Sequence, residues 1–241
     1  MSKVVKRGFV PSDDVEFSEE AVKTLCTAGN DLKYLINRGY HLKGASVFVG
    51  NHFMLSERQR LALARGISSD NSIKFRKEKE ITTGFENKII HIDGFNTIIT
   101  LEVAFSDSLL LKCMDGTIRD LAALRGTYRL IDKTDDAIES IGKQLENNKI
   151  DKAVFYLDAP VSNSGRLKVR ILDILSRYNF DVEVEVINNV DSVLSELDYV
   201  VTSDAIILDK CISWINLTEK IIKEEKGDYG YIDLSLNQSA Y

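Results

Sequence analysis

Cysteine, histidine and proline are all scarce in this 241-residue chain. The three cysteines, Cys26, Cys113 and Cys211, lie far apart and form no CxxC pair. That excludes the usual zinc spacings and a disulfide framework, and leaves buried or incidental thiols in a reducing compartment as the expectation. The three histidines, His41, His52 and His91, make no HExxH pattern, which argues against classical zinc hydrolysis. Proline occurs only at positions 11 and 160, and with abundant lysine this leans towards a thermophilic or archaeal source. No apolar run approaches the ~20 residues that span a bilayer, and the basic N-terminus has no apolar h-region. A cytoplasmic address and no membrane partner are therefore expected. Phosphate-binding fingerprints are missing too. GxGxxG, GxxxxGKS/T and a GxSxG elbow are absent, which speaks against dehydrogenases, P-loop enzymes and serine hydrolases.

What is present is an ordinary globular composition, 44% hydrophobic and 28% charged, with a lopsided charge. Residues 1–82 carry 14 Lys+Arg against 10 Asp+Glu, and the remainder carries 17 against 27. A basic module joined to an acidic one suits a nucleic-acid grip attached to a metal-binding domain.

The first module, residues 1–68, reads as helical. Ser18 and Glu20 with Val22, Leu25, Leu32, Leu35 and Ile36 predict one or two amphipathic helices. Gly39 ends a turn, LKGASVFVG predicts a short helix closed by Gly50, and Ser56 with Gln59 forms a capping-box pattern. Arg58, Arg60 and Arg65 sit on that last helix. The pattern is compatible with a helix-turn-helix gripping nucleic acid, or with a helical bundle carrying solvated arginines. Residues 69–86 are polar and weakly periodic and read as a linker.

From residue 87 to 241 short apolar runs alternate with helical stretches. KIIHID, DKAVFYLD, DVEVEVI, DYVVTSD and YGYIDLS predict about five core strands of a largely parallel α/β sheet. SLLLKCMDG reads as an extra strand or hairpin. In such sheets ligands bind beyond the carboxyl ends of the strands. Three strands end there in Asp93, Asp158 and Asp204, with Asp209 in reserve. Each alone could be a cap or turn residue. Together on one edge they would repel one another unless a hard cation such as Mg2+ or Mn2+ sat among them. Asn96 could hold the first carboxylate or meet a phosphate. Ser162, Asn163, Ser164 and Arg166 read either as a phosphate cradle at a helix start or as a polar capping loop. MDGTIRDLAALRGTYR, with Asp115, Arg119, Asp120, Arg125 and Arg129, reads as a substrate-facing surface with Asp120 a fourth acid, or as an ordinary exposed helix.

IDGFN, FYLD and VTSDAIILD resemble the acidic motifs of the PIN/NYN-like nuclease superfamily across roughly residues 85–215. Over nearly its whole length the chain also resembles an uncharacterised, mainly archaeal family with a helical N-terminal domain. RGFVPSDD, LINRGYHLKGAS, LSERQRLALAR, GTIRDLAALRGTYR and LDAPVSNSGRLK carry that likeness. The superfamily resemblance implies a three-layer α/β/α sandwich and an acidic pocket for Mg2+ or Mn2+. It also implies endonuclease action on RNA, with Asp93, Asp158 and Asp204 matching its acids most directly and Asp120 less directly. The reading leaves room for a homodimer. The competing expectations are a metal-dependent phosphatase and a non-catalytic RNA-binding or regulatory protein with a degenerate pocket.

Overall fold

A computed structural model describes residues 6–122, 126–227 and 229–235. In chain order these form α1 (Asp13–Glu16), α2 (Glu19–Asn37), α3 (Leu42–His52), α4 (Glu57–Gly66), α5 (Asp70–Glu78), β1 (Ile89–Asp93), α6 (Gly94–Phe105), β2 (Leu110–Lys112) and β3 (Ile118–Asp120). Then come α7 (Asp132–Asn147), β4 (Lys152–Asp158), α8 (Ser164–Leu175), β5 (Asp181–Ile187), α9 (Val190–Leu194), β6 (Val200–Val201), α10 (Ala205–Lys210), β7 (Trp214–Ile215), α11 (Leu217–Lys226) and β8 (Ile232–Asp233). No described helix is long and apolar enough to cross a membrane.

The α/β unit comprises Lys79–Ser108, Ala122–Tyr229 and the described residues up to Arg7. Its sheet runs β5-β4-β1-β6-β7, every neighbour parallel. Alternation along β4 sends Ala153, Phe155 and Leu157 to one face and Val154 and Tyr156 to the other. Val154 and Tyr156 pack with Val190, Leu194, Ile207 and Leu208 of α9 and α10. Helices α6, α7, α8 and α11 cover the opposite face, so the sheet is buried on both sides, as parallel sheets require. Beneath α6 lies a buried polar knot. The Tyr128 hydroxyl donates to Glu102 at 2.7 Å, and the Arg7 guanidinium meets the same carboxylate at 2.7 Å.

Two strand assignments differ from the sequence reading. The fifth core strand is β7, hidden in a stretch that reads as helix because it is two residues long and Trp214 is wholly buried. YGYIDLS yields β8, which pairs with β2 in a separate sheet of order β3-β2-β8.

The helical unit comprises Gly8–Glu78, Leu109–Leu121 and the described residues from Gly230 on. Its core joins Leu25, Leu32, Val49 and Leu63 of the helices to Leu111, Leu121 and Leu234 of the small sheet. The capping box at Ser56 and Gln59 forms as expected. The linker does not: its first half is α5, and Lys79–Ile81 runs beside β7, with Ile81 N–H donating to the Trp214 carbonyl at 2.8 Å. Arg58, Arg60 and Arg65 do not project as a grip. Arg58 forks onto Asp13 and the Gly8 and Leu121 carbonyls, Arg60 onto the Leu55 and Gly50 carbonyls, and Arg65 onto Asp120. A Cβ on Gly50 would lie 2.5–3.0 Å from the Arg60 side chain, so this glycine makes room for the guanidinium and does not merely close a helix.

Candidate functional site

The strand order brings the three expected aspartates to one sheet edge. Asp93, Asp158 and Asp204 follow β1, β4 and β6, which are adjacent with β1 in the middle. Asp93 lies opposite Tyr156 in the register, so Asp158 stands one pleat further along the same face. That face is the one packed by α9 and α10.

Asp93 is buried, and its Oδ2 accepts the Thr202 hydroxyl at 2.8 Å. Burial pushes its carboxyl up to about 7. Thr202 and the Asn96 backbone N–H pull it down, while Asp204 and Asp191 push it further up. Burial also raises Asp158, and Asp191 adds to the rise. Asp191 is itself raised by burial and then by Asp204, with Lys210 opposing. Asp191 thus links the edge: its charge is felt by both Asp93 and Asp158, and that of Asp204 by Asp93 and Asp191. Asp191, in the first turn of α9, was missed from the sequence. It follows a strand by four residues and reads there as a helix-start acid; only the packing of α9 over β1 and β4 turns it towards the others.

The turn after β6 is held from β1's side. The Asn96 side-chain oxygen accepts the Ser203 backbone N–H at 3.0 Å and its hydroxyl at 2.8 Å. Asn96 therefore ties the turn that carries Asp204 to the start of α6. Asp204 caps α10 through Oδ1, which accepts the Ile206 N–H at 2.7 Å. Here the capping reading and the cluster reading are both true of one residue.

Gly94 has a steric reason to follow Asp93. A Cβ there would lie 2.6 Å from Leu157 Cδ2 and 3.0 Å from the Tyr156 carbonyl oxygen, because α6 starts hard against β4. Gly94→Ala is expected to destabilise the protein by about 1–3 kcal/mol, read as a lower urea midpoint. An unchanged midpoint would show that α6 can shift without penalty.

Other expected residues fall elsewhere. Asp209 is exposed on α10. Arg119 and Asp120 belong to the helical unit, on β3, because the chain leaves the α/β unit at residue 109. Arg119 is buried and donates to Asp115 at 2.6 Å, so it is no substrate contact. Ile118–Asp120 form a strand and not a helix, Arg129 is exposed, and Arg125 lies outside the described residues. Ser162 and Asn163 are used internally. Tyr128 N–H donates to the Ser162 hydroxyl at 3.1 Å, and the Asn163 amide donates to the Tyr128 carbonyl at 2.6 Å. Asn163 takes a left-handed φ of 63° before α8, where Ser164 is buried. Arg166 remains exposed in the first turn of α8, at the same end of the sheet as Asp158.

The donor set suits a hard divalent ion, being all carboxylate oxygen with one acid that ionises near neutral pH. Among the described residues no three His, Cys, Asp or Glu side chains are placed to hold an ion directly. An ion here would use one or two carboxylates and several waters, which is the habit of Mg2+.

Residues 82–220 match the family described as Domain of unknown function (DUF5616), and residues 24–79 match Protein of unknown function (DUF434). An uncharacterised protein of Methanocaldococcus jannaschii is 39% identical over 182 residues, which is 75% of this chain and 87% of that protein. No solved structure matches.

Proposed function

We propose that this chain, which belongs to the DUF5616 family, is a metal-dependent endonuclease acting on RNA. The observation that carries the reading is the convergence of Asp93, Asp158 and Asp204 from three adjacent parallel strands. Asp191 joins them, and Asp93 is held near the threshold of ionisation. Asp93, Asp158, Asp204 and Asp191 are the carboxylates from which Mg2+ or Mn2+ would be held, Asp93 feeling the charge of Asp204 and Asp191 and Asp158 that of Asp191. When bound, such an ion activates a water and neutralises charge on the phosphodiester in its transition state.

The protein's own groups do the rest. Asn96 and Ser203 fix the loop that carries Asp204, so the carboxylate does not relax away from its neighbours. Thr202 orients Asp93 by donating to Oδ2, and the Asn96 backbone N–H steadies the same carboxylate. Arg166 would neutralise a substrate phosphate from the start of α8. The basic balance of residues 1–82 favours a polyanion over a small phosphorylated substrate.

The test is Mn2+ calorimetry beside a cleavage assay on single-stranded and structured RNA, with wild type, Asp93→Asn, Asp158→Asn and Asp191→Asn. Wild type is expected to bind Mn2+ and cut, with cleavage falling roughly 100-fold or more in the first two variants. Asp191→Asn is expected to fall less. A folded wild type that neither binds Mn2+ nor cuts would overturn the enzymatic reading in favour of RNA binding by a degenerate pocket.

A further inference from the structure

The arginines of α4 are spent on carbonyls inside the helical unit, yet another face of that unit is built to meet nucleic acid. Helices α2 and α3 enclose a cleft of about 160 Å3 lined by Asp31, Tyr34, Leu35, Phe48, His52 and Phe53. Spacing explains the wall. Asp31, Tyr34, Leu35 and Arg38 recur at helical intervals along α2, and Phe48, Val49 and His52 do so along α3. The cleft is smaller than the ~300 Å3 of drug-sized pockets and offers room for one flat ring.

Two of its aromatic walls are open to solvent, Tyr34 at 59% and Phe48 at 68% exposure, with Tyr40 exposed at 63% just beyond. The Arg38 guanidinium carbon lies 5.0 Å from the Tyr34 ring centroid, a stacked cation at the rim. The local charge is the reverse of the protein's. From residue 32 to residue 56 there is no Asp or Glu, while Arg38 and Lys43 fall inside that stretch and Lys33 is paired with Asp70 at 2.8 Å, in a chain whose net charge is −6. Exposed rings with a cation stacked at their rim are what a single strand needs. Rings stack on bases, cations track the backbone, and neither depends on sequence. An apolar protein partner would explain the rings and leave the Arg38 guanidinium over Tyr34 without a reason.

We infer that the α2–α3 cleft is a base-stacking site for single-stranded RNA, with a nucleobase seated between Tyr34 and Phe48 and its phosphates beside Arg38 and Lys43. This rests on the nuclease reading for the identity of the polymer. Asp31, the cleft's one carboxylate, adds a preference. Its oxygens can accept from an exocyclic amine or ring N–H on a base edge but have nothing to donate. Bases rich in such donors, guanine above all, are favoured there.

The experiment is fluorescence anisotropy with labelled single-stranded RNA oligonucleotides on the full chain, in chelator so that cleavage plays no part. Tyr34→Ala and Phe48→Ala, both exposed and so expected to leave the fold intact, should each weaken binding about 10- to 100-fold. Tyr34→Phe should bind like wild type, because the ring and not the hydroxyl is used. Asp31→Asn should narrow the gap between G-rich and U-rich strands. Asp93→Asn should bind like wild type in chelator and fail to cut in a parallel assay with Mn2+, where Tyr34→Ala at saturating RNA still cuts, which separates this site from the catalytic reading. No loss of affinity in the alanine variants overturns the inference. So does a wild type that binds no single strand, or a loss confined to self-association in sedimentation, which would make this face a contact between copies of the chain.

Discussion

Asp115→Ala is expected to destabilise the helical unit by about 3–5 kcal/mol, the largest single-residue effect in that unit. Asp115 has no exposed side-chain surface and joins two buried cations, Arg76 and Arg119, each donating to Oδ2 at 2.6 Å. The Thr117 hydroxyl donates to the other oxygen at 2.6 Å. Burial alone pushes the carboxyl up, but Arg119, Thr117 and Arg76 outweigh it and hold it below the ordinary range. Without the carboxylate, two guanidiniums at 3% and 7% exposure keep their charge, since arginine does not deprotonate, and lose their common partner. Urea unfolding followed by two probes reads the result. Circular dichroism at 222 nm reports all helices, whereas the chain's one tryptophan, Trp214, lies in β7 of the α/β unit. The dichroism should move to lower urea and separate from the fluorescence. A change below about 1 kcal/mol would mean that water reaches the arginines and the triad is not sealed.

A second large effect is a pH dependence, and its sign is the reverse of the usual carboxylate case. Asp93 is raised to about 7 in the folded protein and titrates near 3.9 when unfolded. Below about pH 4 the proton is bound in both states and costs nothing. Between there and 7 the unfolded chain has released it while the folded chain still holds it, so stability falls as pH rises. Three pKa units correspond to as much as ~4 kcal/mol lost by pH 8 in the presence of chelator. Asp93→Asn keeps the hydrogen-bonding shape without the charge and should remove that slope, making it more stable than wild type at pH 8. Adding Mn2+ should restore the wild type and leave the variant unmoved. Parallel curves for the two proteins from pH 5 to 8 would place the strain on another group.

The acidic edge was largely legible beforehand because the information is local. A strand in a parallel sheet shows itself as a short β-branched run, its carboxyl end as a polar stop, and three such stops were Asp93, Asp158 and Asp204. Adjacency was not legible, since strand order depends on which helices cross which face. The order that sets β4, β1 and β6 side by side came from the structure alone. Asp191 was invisible for the same reason: its role depends on where α9 packs. Arg119, Asp120 and the α4 arginines misled because composition shows charge but not its partners. A buried arginine that satisfies carbonyls looks the same in sequence as one awaiting a phosphate. The strand β7 could not be found by pattern at all, two residues being too short for a period.

The helical unit is sewn from three stretches of chain, and its core is not complete when its helices are. Leu234, after β8, lies over Gly66, where a Cβ would approach it to 2.5 Å, and the Cys26 thiol reaches the Asp233 carbonyl across 207 residues. During synthesis the first helices must therefore wait for nearly the whole α/β unit to emerge before their own core can close. Contacts so distant in sequence slow folding and leave apolar surface open meanwhile. The same stitching bears on truncation. No single cut along the chain separates the two units with both whole, so a truncation after α5 would leave the helical unit without Leu111, Leu121 and Leu234 of its core.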